Sequence, residues 1–246
     1  MIDVVIPNIF RGYNHLEAVF TKANRSVFPS KDYPDGINFG FTTNASLQEI
    51  EKNYQKLLKQ LNLKRENLAL AKQVHGNGIK IITEGGIYPD TDGLITSTKN
   101  VYIGIQVADC AAILVADPLN KIIGAFHAGW RGAVSGIIPA GLDMMEKEGG
   151  NAENFHAYIS PCISQKAFEV GEEVAQLFPD QFCDKKSYHK THVDLPGYIT
   201  KQLTSWGIPP VNIELSDECT FGNTDFFSFR RERESAGRML ALIGLK

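Results

Sequence analysis

The stretch VYIGIQVADCAAILVADPLNKIIGAFHA, residues 101–128, decides how this chain folds. It holds three apolar runs: VYIGIQV (101–107), AAILVAD (111–117) and KIIGAFHA (121–128). Only three residues separate each run from the next. Runs this short, rich in β-branched residues and bounded by turn residues, predict strands. Connections this short predict hairpins and a largely antiparallel or mixed sheet. The pattern extends upstream through LALAKQV (68–74), IKIIT (79–83) and DGLIT (92–96).

Helical periodicity flanks this block. In SLQEIEKNYQKLLKQLN (46–62), Leu47, Ile50, Tyr54, Leu57, Leu58 and Leu61 recur at steps of three and four, and Ser46 with Glu49 matches a capping box. After HAGWRG, the residues Val134, Ile137, Ile138, Leu142 and Met145 share a helical face, which Pro139 should kink or restart. EEVAQLF (172–178) and DLPGYITKQLTSWG (194–207) predict two further helices, the second capped by Asp194 and Gly207. FHAYIS, VNIELS, FFSFRRE and MLALIGL predict strands. Strands in runs with helices irregularly interspersed imply an α+β fold, with mixed, largely antiparallel sheets and flanking helices. Repeats, low-complexity tracts and Pro/Ser-rich linkers are absent from the sequence, so one domain over residues 1–246 is expected.

Composition narrows the function classes. Apolar residues make up 43% of the chain and charged residues 22%, as in ordinary soluble domains. A formal net charge of −3 gives no footprint for nucleic acid or an anionic membrane, and the basic cluster RRERE is interleaved with acids. No run approaches the roughly 18 apolar residues of a membrane span. MIDVVIPNIFRGYNHLE lacks the pattern of a signal peptide. Cys110, Cys162, Cys183 and Cys219 form no CxxC pair, which suits a reducing, cytoplasmic location. Nothing implies a protein partner.

Three residues stand out as a set: His75 in QVHGN, Cys110 in ADC and His127 in HAGWRG. Each flanks a predicted strand, and neighbouring strand ends can converge on a metal. A nitrogen, sulfur, nitrogen donor set suits Zn2+, with a fourth position left for water. Taken singly, a buried cysteine is more often core, and a histidine at a strand end more often a hydrogen-bonded structural residue. The surroundings strengthen the joint reading. Asp109 sits beside Cys110, while Gly129 and Gly132 permit close approach around His127. Arg131, at the start of the next helix, is a candidate anion ligand, and Arg230 in SFRR is a second. The same residues also allow a thiolate–imidazole pair of Cys110 and His127 with Asp109 orienting the base.

The segments QVHGN, DTDGLIT, ADCAAILVADP, HAGWRG, SPCI, FEVG, ECT and FFSFRRE, with Gly237-Arg238 behind them, resemble the YfiH family over nearly the whole chain. That family carries a multicopper polyphenol oxidase or laccase-like label. Its members are also described as purine nucleoside phosphorylases with adenosine deaminase activity. The resemblance implies an α+β fold with mixed sheets and makes His75, Cys110 and His127 the zinc ligands. Asn38 in NFG keeps the family's Asn-Leu-Gly pattern with Phe39 for leucine, and is a candidate substrate residue. The sequence departs from the family in FTKANRSVF, where Lys22 replaces an arginine, in FTTNAS, which lacks the usual acids, and at Ser160, where glycine is common. These departures bear on substrate preference rather than on the ligands.

The expected activity is therefore zinc-dependent phosphorolysis of purine nucleosides: adenosine, inosine, guanosine and, as a further candidate, methylthioadenosine. Its partners would be a nucleoside and phosphate. Adenosine deamination ranks second, because the H-x-E motif of zinc deaminases is absent here and Asp109 or another acid must move the proton. The alternative is a cytoplasmic cysteine or zinc amidohydrolase acting on cell-wall precursors. A four-copper laccase would need roughly ten histidines. The chain has six: His15, His75, His127, His156, His189 and His192. A single adventitious copper at the zinc site remains chemically reasonable. HKTH (189–192) reads better as a polar surface segment than as a metal pair.

Overall fold

Apolar runs without polar alternation need cover on both faces of their sheet, and the architecture supplies it. The computed structural model describes residues 1–25, 36–41 and 43–246. Ser26–Phe28 of the divergent FTKANRSVF segment and Thr42 of FTTNAS lie outside the described residues.

The chain opens with β1 (Val4–Val5) and β2 (Leu16–Thr21), then helix α1 (Leu47–Gln60). Seven strands follow: β3 (Leu68–Lys72), β4 (Ile79–Ile81), β5 (Gly86–Pro89), β6 (Gly93–Thr96), β7 (Tyr102–Val107), β8 (Ala111–Asp117) and β9 (Ile122–Ala128). Helices α2 (Trp130–Val134) and α3 (Ile137–Lys147) lead into β10 (His156–Ile159) and the single turn α4 (Glu172–Ala175). A small ribbon of β11 (Cys183–Asp184) and β12 (His192–Val193) precedes α5 (Leu195–Trp206) and β13 (Ile213–Leu215). The short α6 (Phe229–Glu232) and β14 (Met239–Leu245) end the chain.

The strands form two six-stranded mixed sheets, ordered β1-β2-β14-β7-β3-β5 and β13-β10-β8-β9-β6-β4. Antiparallel pairs predominate among the described residues, with parallel pairs at β3–β5, β3–β7, β4–β6 and β10–β13. The sheets face each other across one apolar core. Ile103, Ile105, Met239, Ala241 and Ile243 of the first sheet meet Ala112, Leu114, Ile123 and Ala125 of the second. Alternate residues point outward. Leu240 and Leu242 reach Ile50, Tyr54 and Leu57 of α1. Ile113, Val115 and Phe126 reach Ile138 and Leu142 of α3 and Ile199 and Leu203 of α5. The result is four layers, α-β-β-α. The central strands β6 to β9 and β14 are covered on both faces and so read as continuous apolar runs.

The short connections behave differently from the hairpins expected. Only β8 and β9, joined at a turn where Asp117 Oδ1 accepts from Leu119 and Asn120 N–H, form one within the block. From β3 to β8 the chain instead steps from one sheet to the other at every connection. Sheets pack about 10 Å apart, a gap that three or more residues can cross as easily as they can reverse. A run buried on both faces carries no mark of which sheet it joins. Asp90 and Asp109, at two of these crossings, have positive φ (53° and 80°).

Three smaller differences matter. FFSFRRE is not a strand: Ser228 caps the helical turn α6, its side chain accepting from Arg231 N–H. The helix after HAGWRG breaks at Gly136 (φ 82°), and Pro139 falls in the first turn of α3, where its missing N–H costs nothing. The predicted helix at 172–178 shrinks to one turn. The α1 capping box and the Asp194 cap of α5 form as expected.

Candidate metal centre and its cavity

Three of the inter-sheet crossings, β3–β4, β5–β6 and β7–β8, lie at one end of the sandwich and carry the chemistry. His75 lies in the β3–β4 crossing and Cys110 in the β7–β8 crossing, while His127 sits near the end of β9. β3 and β7 are parallel neighbours, so His75 and Cys110 follow adjacent strand ends. β8 and β9 pair as a ladder with Ala112 opposite His127, which brings Cys110 to the same level. The donor atoms of His75, Cys110 and His127 all lie within 4.8 Å of one another. The two imidazoles meet edge to face with centroids 4.7 Å apart. His127 is buried, Cys110 half-buried and His75 exposed. Gly129 is needed at this spot: a Cβ there would lie 2.7 Å from Cys110 Sγ.

One residue organises the cluster and was not singled out from the sequence. Asp92, in the β5–β6 crossing, is wholly buried. Its Oδ1 accepts from His127 Nδ1 at 2.8 Å and from the His75 N–H at 2.9 Å. Its Oδ2 accepts from Gly76 N–H at 2.8 Å and Val74 N–H at 3.2 Å. One carboxylate thus fixes the His75 loop, where His75 itself has φ 61°, and turns His127 Nε2 toward Cys110 and His75. A carboxylate behind a metal-ligating histidine is the usual outer-shell arrangement. Its only trace in the sequence is the polar DTDG before an apolar run.

Burial pushes the Asp92 carboxyl up, but the His127 hydrogen bond and the backbone donors outweigh it and hold it below its ordinary value. Burial likewise raises the Cys110 thiol, yet the facing His127, with hydrogen bonds from both histidines, brings it down to about 6. Burial lowers His127, while the Cys110 thiolate and Asp92 raise it to about 9. Both shifts run in the direction that favours a thiolate–imidazolium pair when no metal is bound. The donor set fits a metal. The Cys110 thiol is shifted toward its thiolate, Asp92 fixes the ring orientation of His127, and three protein donors leave a position open.

A cavity of about 700 Å3 opens over the cluster. His75, Cys110 and His127 line it, as do Arg131, Arg230 and Arg238. Each of these guanidiniums lies against an aromatic face of the same cavity: Arg131 over Trp130 at 4.3 Å, Arg230 over Phe168 at 5.8 Å and Arg238 over Phe229 at 5.9 Å. Arg238 was not anticipated as a site residue. Asp109 also borders the cavity, but its carboxylate accepts from Thr220 Oγ1 (2.6 Å), Ser228 Oγ (3.1 Å) and Arg230 N–H (2.6 Å). It anchors α6 and so places Arg230, whereas the carboxylate on His127 is Asp92. Asn38 does not border the cavity. Its Oδ1 accepts from Gly40 and Arg238 N–H and its Nδ2 donates to Thr43, so it braces the backbone of Arg238.

The family model described as multi-copper polyphenol oxidoreductase laccase matches residues 17–246. A purine nucleoside phosphorylase from Deinococcus radiodurans is 34% identical over 199 residues, covering 80% of this chain and 77% of its own length. An adenosine deaminase from an unknown prokaryotic organism is 30% identical over 200 residues, covering 74% and 76%. The crystal structure of the hypothetical protein YfiH from Bacillus licheniformis matches with a TM-score of 0.87 at 29% identity, covering 95% of this chain and 94% of that one. The chain belongs to the YfiH family.

In this YfiH-family chain His189 is exposed and the other three histidines are engaged elsewhere. His15 contacts Pro118 O, His156 lies between Tyr13 Oη and Asn154 O, and His192 contacts Gln165 O and stacks on Tyr188. His75, Cys110 and His127 are the one metal-capable cluster among the described residues. Two departures from the family pattern have local explanations. Lys22 pairs with Asp225 at 2.9 Å. The Ser160 hydroxyl accepts from Ala112 N–H and donates to Pro161 O, tying β8 in place. Among the described residues no helix is long and apolar enough to cross a membrane.

Proposed function

We propose that this protein is a zinc-dependent purine nucleoside phosphorylase acting on adenosine, inosine, guanosine and methylthioadenosine, with adenosine deamination as a second activity. The observation that carries this reading is one cavity holding both the His75–Cys110–His127 cluster and three arginines that each lie over an aromatic ring. The names of its relatives point the same way.

Phosphorolysis breaks the C1′–N9 bond while a phosphate oxygen bonds to C1′, giving base and sugar 1-phosphate. Its transition state resembles the oxocarbenium ion of glycoside cleavage. The protein's task is to hold a dianion against C1′ and a planar base at a fixed angle. Guanidiniums already held over rings lose little freedom on binding an anion, which suits Arg131, Arg230 and Arg238 to the phosphate. Asp109 keeps Arg230 in place. Phe41, Trp130, Phe168 and Phe229 offer faces for the base. Zn2+ on His75, Cys110 and His127 would add Lewis-acid charge at the cavity floor and activate water near neutral pH.

A second reading has its own observation. Without metal, Cys110 lies beside His127, whose ring Asp92 orients, and the shifts favour thiolate and imidazolium, the layout of a cysteine hydrolase acting on amides such as those of cell-wall precursors. Metal content separates the two. Purified protein and a Cys110→Ala preparation are incubated with adenosine, with and without phosphate, and the products resolved by chromatography. Adenine and ribose 1-phosphate appearing only with wild type and phosphate, from zinc-containing protein, is the expected result. Inosine formed without phosphate adds the deaminase. Identical products from wild type and variant overturn the reading.

A further inference from the structure

Gln106, the penultimate residue of β7, borders the cavity. Its backbone is closed off by Gln73: the Gln106 N–H donates to Gln73 Oε1 at 2.9 Å, and Gln73 Nε2 donates to Gln106 O at 2.8 Å. Its side-chain amide is oriented by a separate chain of bonds. Gln106 Nε2 donates to Tyr54 Oη at 2.8 Å, and Tyr54 Oη donates to Phe39 O at 3.0 Å. Tyr54 and Phe39 are wholly buried.

The direction of that chain is forced. A phenol has one proton, and among the described residues the Phe39 carbonyl has no other donor. A buried carbonyl needs a partner, so the proton goes to Phe39. Tyr54 can then only accept from Gln106. Turning the amide over would set its oxygen against the Tyr54 oxygen with no proton between them. Gln106 Nε2 is thus held toward Tyr54, and Oε1 is left without a donor among the described residues. The wall around it is stiff. Phe41, which also lines the cavity, stacks on Tyr54 with centroids 5.4 Å apart and planes 10° apart.

We propose that Gln106 is a base-reading residue whose Oε1 is a fixed acceptor for an N–H on the six-membered ring of the purine. The proposal rests on the nucleoside reading above. Two donors have this chemistry: the 6-amino group of adenine and the N1–H of a 6-oxopurine. Unsubstituted purine has neither. A polar group built to pair with a ligand N–H is left unpaired by an analogue that lacks it, and the analogue is rejected.

Calorimetric titration of the zinc-loaded protein with adenine, hypoxanthine and unsubstituted purine tests this without requiring turnover. All three share the imidazole N–H and differ at positions 1 and 6. Wild type should bind the base whose donor it accepts about tenfold more tightly than purine. Gln106→Met keeps the length and leaves both backbone bonds to Gln73, so it should fold. Its preference should shrink to about twofold or less, the loss of one net hydrogen bond. Tyr54→Phe leaves Gln106 in place but frees its amide to turn, and should reduce the preference as well. Purine bound as well as adenine and hypoxanthine by wild type, or a preference unchanged in Gln106→Met, overturns the assignment and leaves the phosphorylase reading standing. No binding of any base to wild type overturns both.

Discussion

Asp92→Asn isolates what holds the metal-capable cluster together. The carboxylate serves two donors on each oxygen: His75 N–H and His127 Nδ1 on one, Val74 and Gly76 N–H on the other. Asparagine has one acceptor oxygen. Whichever pair it serves, its NH2 confronts the two donors of the other pair. A buried donor left unpaired costs about 1–3 kcal/mol, so the substitution should cost roughly 2–6 kcal/mol. Val74 and His75 are exposed, so water can reach part of the loop and the lower end, about 2–3 kcal/mol, is expected. The metal should suffer separately, since loss of an outer-shell partner typically costs about 10–100-fold in affinity. Denaturant unfolding of chelator-stripped wild type and variant gives the first quantity. Zinc competition against a chromophoric chelator gives the second. A destabilisation below about 0.5 kcal/mol, the scale of an ordinary surface change, would refute the idea that Asp92 bears four bonds. An unchanged zinc affinity would refute its role behind His127.

The pH dependence of the stripped protein follows from the same residue: Asp92 is held below its ordinary value, so its stabilisation is present above the ordinary carboxylate range and lost as pH falls through the depressed pKa. Acid titration should therefore destabilise wild type more than Asp92→Asn, read as unfolding midpoints against pH. Gly129→Ala, whose backbone (φ −69°, ψ 172°) suits alanine, places a methyl 2.7 Å from Cys110 Sγ and 3.5 Å from His75 Nδ1. It should lower zinc affinity in the same competition assay at an overpacking cost of about 1–3 kcal/mol. In stripped protein, iodoacetamide near neutral pH should modify Cys110, which is depressed to about 6, and zinc should protect it. Cys219, also depressed, serves as the unprotected internal control when the peptides are read by mass spectrometry. Ser46→Ala removes the α1 capping box and should cost about 1 kcal/mol in denaturant unfolding, without altering zinc affinity.

Local physics was legible wherever one segment carried the whole signal. The α1 face, its capping box, the Asp194 cap and the β8–β9 hairpin needed only neighbouring residues. Strands β1, β2 and β5 passed unnoticed, being short or broken by polar residues. FFSFRRE was misleading because its aromatic alternation imitates a strand, while Ser228 satisfies the N–H of Arg231 and favours a turn. The site divided in the same way. His75, Cys110, His127, Arg131 and Arg230 come from chemistry-bearing residues beside glycines or strand ends. Asp92, Gln106, Tyr54 and Arg238 were missed because each acts through a residue remote in sequence.

The sequence by itself determined which segments are apolar, where turns fall and which side chains could bind a metal or an anion, since these depend on residue type and short-range spacing. Only the tertiary structure decided which sheet each strand joins, because runs buried on both faces fit either sheet equally. That choice places the β3–β4, β5–β6 and β7–β8 crossings at one end of the sandwich. There one buried carboxylate, needing four donors, selects Val74, His75, Gly76 and His127 from across the chain and makes three separate motifs a single site.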